Sequence, residues 1–87
     1  MSAPTWFVYL LLCGDRTLYC GLALDVEARL EQHRSGKGAK YTRGRGPLAV
    51  VYREACATRA AALRRERLIK RLSRAAKLRL CGLGPSC

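Results

Sequence analysis

The sequence predicts an α+β fold, a small three-stranded sheet (mixed or antiparallel) flanked by about three helices. Segments with strand-like and helix-like apolar patterns interleave in the order β-β-α-β-α-α, which requires a sheet covered by helices. At 87 residues the chain suffices for one core and is too short for two. Hydrophobic residues make up 49%, with one Trp and one Phe, so the core must come mostly from Leu, Val, Ala and Tyr. Residues 1–80 are therefore read as one domain. Residues 81–87, with two glycines and a proline, are read as a flexible tail.

Each element has its own signal. Trp6 to Leu12 is an unbroken aromatic and aliphatic run ending at the turn-like Cys13-Gly14-Asp15-Arg16, as expected of a buried strand. Thr17 to Leu22 follows at once, so the two pair as an antiparallel hairpin that places Tyr9 and Tyr19 on neighbouring strands. Asp25 can cap a helix over Val26 to His33, where Val26, Leu30 and His33 recur at helical spacing and Glu27 occupies the first turn. Ser35 to Pro47 is rich in Gly and basic residues and reads as a mobile, phosphate-accessible loop without regular structure. Leu48 to Glu54 resumes a strand pattern. Thr58 can cap a second helix to about Leu72, with Ala61, Leu68, Ile69 and Leu72 as its apolar stripe. Ser73 can cap a third, from Arg74 to Leu80.

Charge points to the partner. Seventeen Lys and Arg against six Asp and Glu give a net charge of +11, which suits a polyanion. Nucleic acid fits best, because a basic folded surface releases counterions from a phosphate backbone. A membrane fits poorly, since no broad apolar face accompanies the charge. The five cysteines include no C-x-x-C pair and have one His beside them, so neither a zinc site nor a complete disulfide framework is expected. Reduced thiols in the cytoplasm are the simplest reading. The apolar run near the N-terminus is too short for a membrane span or a typical signal peptide.

The residues that could carry chemistry lie on the hairpin and the two longer helices. Arg29 and His33 are four apart and share a helical face. Glu66 is the only acid after Ala55, among nine Lys and Arg, and it flanks the apolar stripe beside Ala62 and Ile69. By residue type alone, Glu66 reads as an i,i+4 ion pair with Lys70, Arg29 as a surface charge, His33 as a partly buried stripe residue, and the tyrosines as core.

Together, however, Val8-Tyr9-Leu10, Tyr19-Cys20-Gly21, Arg29, His33, Ser35-Gly36-Lys37-Gly38-Ala39-Lys40-Tyr41-Thr42-Arg43 and Ala62-Leu63-Arg64-Arg65-Glu66 resemble the GIY-YIG nuclease family, in its small single-domain bacterial branch. The resemblance runs from about Phe7 to Leu80. It implies a metal-dependent endonuclease that hydrolyses phosphodiester bonds, on DNA in preference to RNA, with weak sequence selectivity. Shape or a protein partner would supply specificity. Tyr9, Tyr19, Arg29, His33 and Glu66 would be catalytic, and Glu66 would hold a single Mg²⁺ or Mn²⁺. Tyr9 would align or deprotonate the water, Tyr19 would support the phosphate or the metal's water shell, and Arg29 would grip the scissile phosphate bidentately. His33 would accept or orient a proton with a tyrosine. Gly21 would keep the cleft clear of a side chain. Lys37, Lys40, Tyr41, Arg43 and Arg45 would contact the nucleic-acid backbone, giving affinity without base reading. The chain contains no Asn, whereas some members place one after the metal-binding Glu. That departure, with the altered tripeptides, defines the alternative of a binding module for DNA or RNA that keeps the fold without turnover.

Overall fold

The computed structural model describes residues 5–82. Three strands, β1 (Trp6–Leu12), β2 (Leu18–Ala23) and β3 (Ala49–Cys56), form an antiparallel sheet in the order β2-β1-β3. The helices are α1 (Val26–Arg34), α2 (Arg59–Lys70) and α3 (Arg74–Leu80). Their N-caps are the expected ones. Asp25, Thr58 and Ser73 each accept a hydrogen bond from the backbone N–H three residues on, satisfying a donor that the first turn cannot.

The central strand explains why the chain starts with an apolar run instead of an alternation. Along β1 successive side chains point to opposite faces, and both faces are covered. Tyr9 and Leu11 pack with Val26 and Leu30 of α1, whereas Val8 and Leu10 pack with Ala62 and Ile69 of α2. All four β1 residues are essentially buried. Each such burial contributes about 1.5–3 kcal/mol. An ion pair from Arg65 to Glu54, which also accepts the Tyr52 hydroxyl, ties α2 to β3.

Two expectations need correction. The segment from Ser35 to Pro47 contains a short 3-10 turn, Lys40–Thr42, and it is pinned to the body of the protein. Thr42 is 2% exposed, the Arg43 Nε donates to the Gly36 carbonyl at 3.0 Å, and Arg45 is ion-paired with Asp15. Side-chain and backbone contacts therefore give order that a Gly-rich composition does not announce. The apolar stripe of α2 is also rotated. Ala62 and Ile69 are buried, while Leu68 and Leu72 are exposed, because a three-stranded sheet is wide enough to cover only part of the helix's apolar arc. Smaller shifts also occur: β2 begins at Leu18, and β3 runs from Ala49 to Cys56. Of the expected tail, Cys81 and Gly82 close α3, and residues 83–87 lie outside the described residues. Among the described residues no helix is long and apolar enough to cross a membrane.

Candidate active site

The antiparallel register sets Tyr9 opposite Gly21 and Leu11 opposite Tyr19, so Tyr9 and Tyr19 emerge on the same sheet face, the one that α1 covers. Their rings lie 6.4 Å apart. His33, one turn beyond Leu30, projects between them. Its Nε2 is 2.9 Å from the Tyr9 hydroxyl, and its ring packs edge-on to Tyr19 at 5.2 Å. Gly21 makes this closeness possible: a Cβ there would stand 2.6 Å from the Tyr9 hydroxyl oxygen, well inside contact distance.

Burial sets the protonation states. Loss of water around the Tyr9 phenol, reinforced by Tyr19, pushes its pKa up to about 12, although the Arg29 guanidinium pulls the other way. Tyr19 is likewise raised by burial. Burial and then the positive charge of Arg29 lower the pKa of His33. The cluster at neutral pH is thus two neutral phenols and a neutral imidazole beside one guanidinium. Arg29 is half-buried, with Nη1 donating to the Gln32 side-chain Oε1 at 2.7 Å.

Glu66 comes from the other side of the sheet. α2 packs on the face opposite α1, against β1 and the edge strand β2. From there the charges of Glu66 and Lys70 act on Tyr19 as well as on Cys20. Every other carboxylate in the described chain accepts a hydrogen bond: Asp15 from Thr17, Asp25 from Ala28, Glu27 from Arg53, Glu31 from Arg34, and Glu54 from Arg65. Glu66 has only a Lys70 Nζ at 3.5 Å. Its side chain is 16% exposed while that of Lys70 is 54% exposed. The ion pair expected from spacing is therefore present but long.

Among the described residues no three His, Cys, Asp or Glu side chains converge as a metal cage. A hard cation such as Mg²⁺ does not need one, because it keeps several waters and takes one or two carboxylates plus substrate phosphates. A half-buried carboxylate with unused lone pairs fits that demand.

Around this centre, Lys37, Lys40 and Arg43 are exposed. Tyr41 packs against Tyr19 at 5.8 Å, and the Arg45 guanidinium lies 4.4 Å from the Tyr41 ring centre. Arg45 is thus partly spent on Asp15 and Tyr41, and Arg43 on the Gly36 carbonyl. Two groups of residues were not foreseen. Thr42 and the Gly38-Ala39 backbone surround the far nitrogen of His33, Nδ1, and Arg74 and Lys77 of α3 line an open cavity of about 170 Å³ with Tyr41, Thr17 and Leu18. The first group carries no periodic signal. The second was visible only as two more cations in a basic helix.

Residues 5–79 match the GIY-YIG catalytic domain. A UPF0213 protein of Natronomonas pharaonis is 51% identical over 78 residues, covering 90% of this chain and 92% of its own length. One from Staphylococcus aureus is 51% identical over 74 residues, with 85% and 90% covered. The solution NMR structure of a UPF0213 protein from Bacillus halodurans superposes with a TM-score of 0.58 at 46% identity, over 91% of this chain and 84% of that one. The solution NMR structure of a protein from E. faecalis gives 0.62 at 34% identity over 99% of this chain and 95% of that one.

Proposed function

The chain belongs to the GIY-YIG family, and from that premise we propose that it is a divalent-metal-dependent endonuclease that cuts the phosphodiester backbone of DNA, selecting by structure more than by base sequence. The observation that carries the reading is Glu66, the one described carboxylate without a hydrogen bond, whose charge acts on Tyr19.

Phosphodiester hydrolysis needs an aligned water, relief of charge building on the phosphoryl oxygens, and help for the departing oxygen. Tyr9, fixed by His33, orients the water with its hydroxyl. Arg29 places a forked, permanent charge against the phosphate. Tyr19 donates to the phosphate or to a coordinated water. Glu66 would hold Mg²⁺ or Mn²⁺, which supplies Lewis acidity at the phosphate and a more acidic water. Because its pKa is held well above neutral, Tyr9 works as a phenol, aligning the water through its hydroxyl.

Lys37, Lys40, Tyr41 and Arg43, with Arg74 and Lys77, form the proposed backbone-contacting surface, and Arg45 braces Tyr41. Contacts of this kind grip the backbone without reading base edges, so DNA shape or a protein partner would supply specificity. The proposed setting is the cytoplasm, where Cys13, Cys20, Cys56 and Cys81 stay as the thiols found here.

The test is incubation with end-labelled duplex, flapped and single-stranded DNA in Mg²⁺, Mn²⁺ or chelator. Metal-dependent cuts in at least one substrate are expected. Binding without cutting in every condition would instead support a non-catalytic module.

A further inference from the structure

His33 is the only histidine, and it is 2% exposed with both ring nitrogens engaged. Nε2 meets the Tyr9 oxygen at 2.9 Å. Nδ1 meets the Thr42 Oγ1 at 2.9 Å and the Ala39 backbone nitrogen at 3.3 Å. One ring nitrogen of a neutral imidazole carries the hydrogen, and which one decides whether His33 gives a hydrogen bond to Tyr9 or takes one.

The partners differ in one respect that settles the question. A tyrosine or threonine hydroxyl can turn to donate or accept, but a backbone N–H only donates. With a hydrogen on Nδ1, the Ala39 N–H would face another N–H and have no acceptor. With Nδ1 bare, Ala39 is satisfied and Thr42 remains free either to donate to Nδ1 or to bond the Ala39 carbonyl, 2.9 Å away. That carbonyl also receives the Thr42 backbone N–H at 3.1 Å, so it is not left wanting in either case. Gly38 brings the loop this near, since a Cβ there would lie 2.8 Å from the imidazole Cγ.

We infer that the basic loop, through the Ala39 N–H, locks His33 as the neutral Nε2–H tautomer, a hydrogen-bond donor to Tyr9 and not the base that takes its proton. Tyr9 then receives a fixed donor on its oxygen, with the Arg29 guanidinium nearby, so its own hydrogen is free for a water or a phosphate oxygen in the cleft. The same donor would stabilise the phenolate once that hydrogen leaves. Of the two roles expected of His33, accepting or orienting a proton, this keeps the second. It also ties chemistry to binding, because the segment that fixes the tautomer is the one that carries Lys37, Lys40 and Arg43. The doubly protonated ring is disfavoured by the same Ala39 N–H, by burial, and by the facing Arg29.

The catalytic meaning rests on the nuclease reading, whereas the tautomer can be read without DNA or turnover. With ¹⁵N-labelled histidine, a chain with one imidazole gives one pair of ring-nitrogen signals. At neutral pH Nε2 is expected as the protonated nitrogen and Nδ1 as the bare one. Thr42→Val, which keeps the Ala39 N–H, should leave that assignment unchanged. A wild-type spectrum with the hydrogen on Nδ1 would overturn the inference, and so would a flip to Nδ1–H in Thr42→Val, which would make the threonine hydroxyl the lock. Absence of DNA cleavage would bear on the nuclease reading alone and leave these spectra as they are.

Discussion

The two faces of β1 are built differently. On the α1 face, Tyr9, His33, Thr42 and the loop backbone form a closed chain of hydrogen bonds in which each buried polar atom has a partner. On the α2 face, Glu66 stands with one long ion pair and no hydrogen bond. Folding completes the first arrangement and leaves the second wanting a ligand. Substitutions in the Tyr9–His33–Thr42 chain should therefore change stability and activity together, while substitution of Glu66 should change activity alone.

The largest expected effect on the α1 face is that of Tyr9→Phe. Single-turnover cleavage should fall on the order of 10²–10⁴-fold. Thermal or urea unfolding should report a loss of about 1 kcal/mol, because His33 loses its buried partner. A variant that loses activity at unchanged stability would break the comparison from this side. Gly38→Ala comes next. Its methyl must displace the imidazole or the loop, at about 1–3 kcal/mol by urea titration, and cleavage should fall with it.

These two positions also mark what was legible in the sequence. The hairpin and the caps could be read because strand and helix periods repeat along the chain, whereas the meeting of Tyr9, Tyr19, Arg29 and His33 was legible only through the resemblance to the GIY-YIG family. The seat of His33 could not be read. Thr42 is nine residues away through a loop with no period, and a glycine-rich basic composition says where phosphate could bind without saying what the backbone grips. The α2 stripe failed for a related reason. A helical wheel shows an apolar arc but not how much of it a narrow sheet will cover, so Leu68 and Leu72 were placed inside and are in fact exposed. Glu66 was legible as the lone acid of its segment, but its missing hydrogen bond is a tertiary fact.

A smaller effect follows from pH. The unfolded chain protonates His33 near ~6.5, and the folded chain does so at lower pH because of burial and then Arg29. The unfolded state therefore binds more protons as pH falls through that value, and stability should drop on acidification from neutral pH until the folded imidazole is protonated as well. Urea titrations of wild type and His33→Gln check this, since the variant should lose less on acidification. Equal losses would show that His33 is not the group responsible.

The smallest effect belongs to the binding surface. Arg74→Ala combined with Lys77→Ala should weaken duplex binding modestly and reduce the salt slope by about 1.8, which is two phosphate contacts. Fluorescence anisotropy from low to moderate salt measures it. An unchanged slope would remove α3 from the surface and confine binding to the basic loop.

Glu66→Gln tests the central claim most directly, with cleavage, DNA affinity and melting temperature measured on the same preparation in Mg²⁺ and in Mn²⁺. The variant should melt within a few degrees of wild type, since it loses only a long i,i+4 pair to an exposed lysine, worth a few tenths of a kcal/mol. It should bind DNA at least as well and leave the backbone uncut. Metal-dependent cleavage at the wild-type rate by that variant would contradict the account.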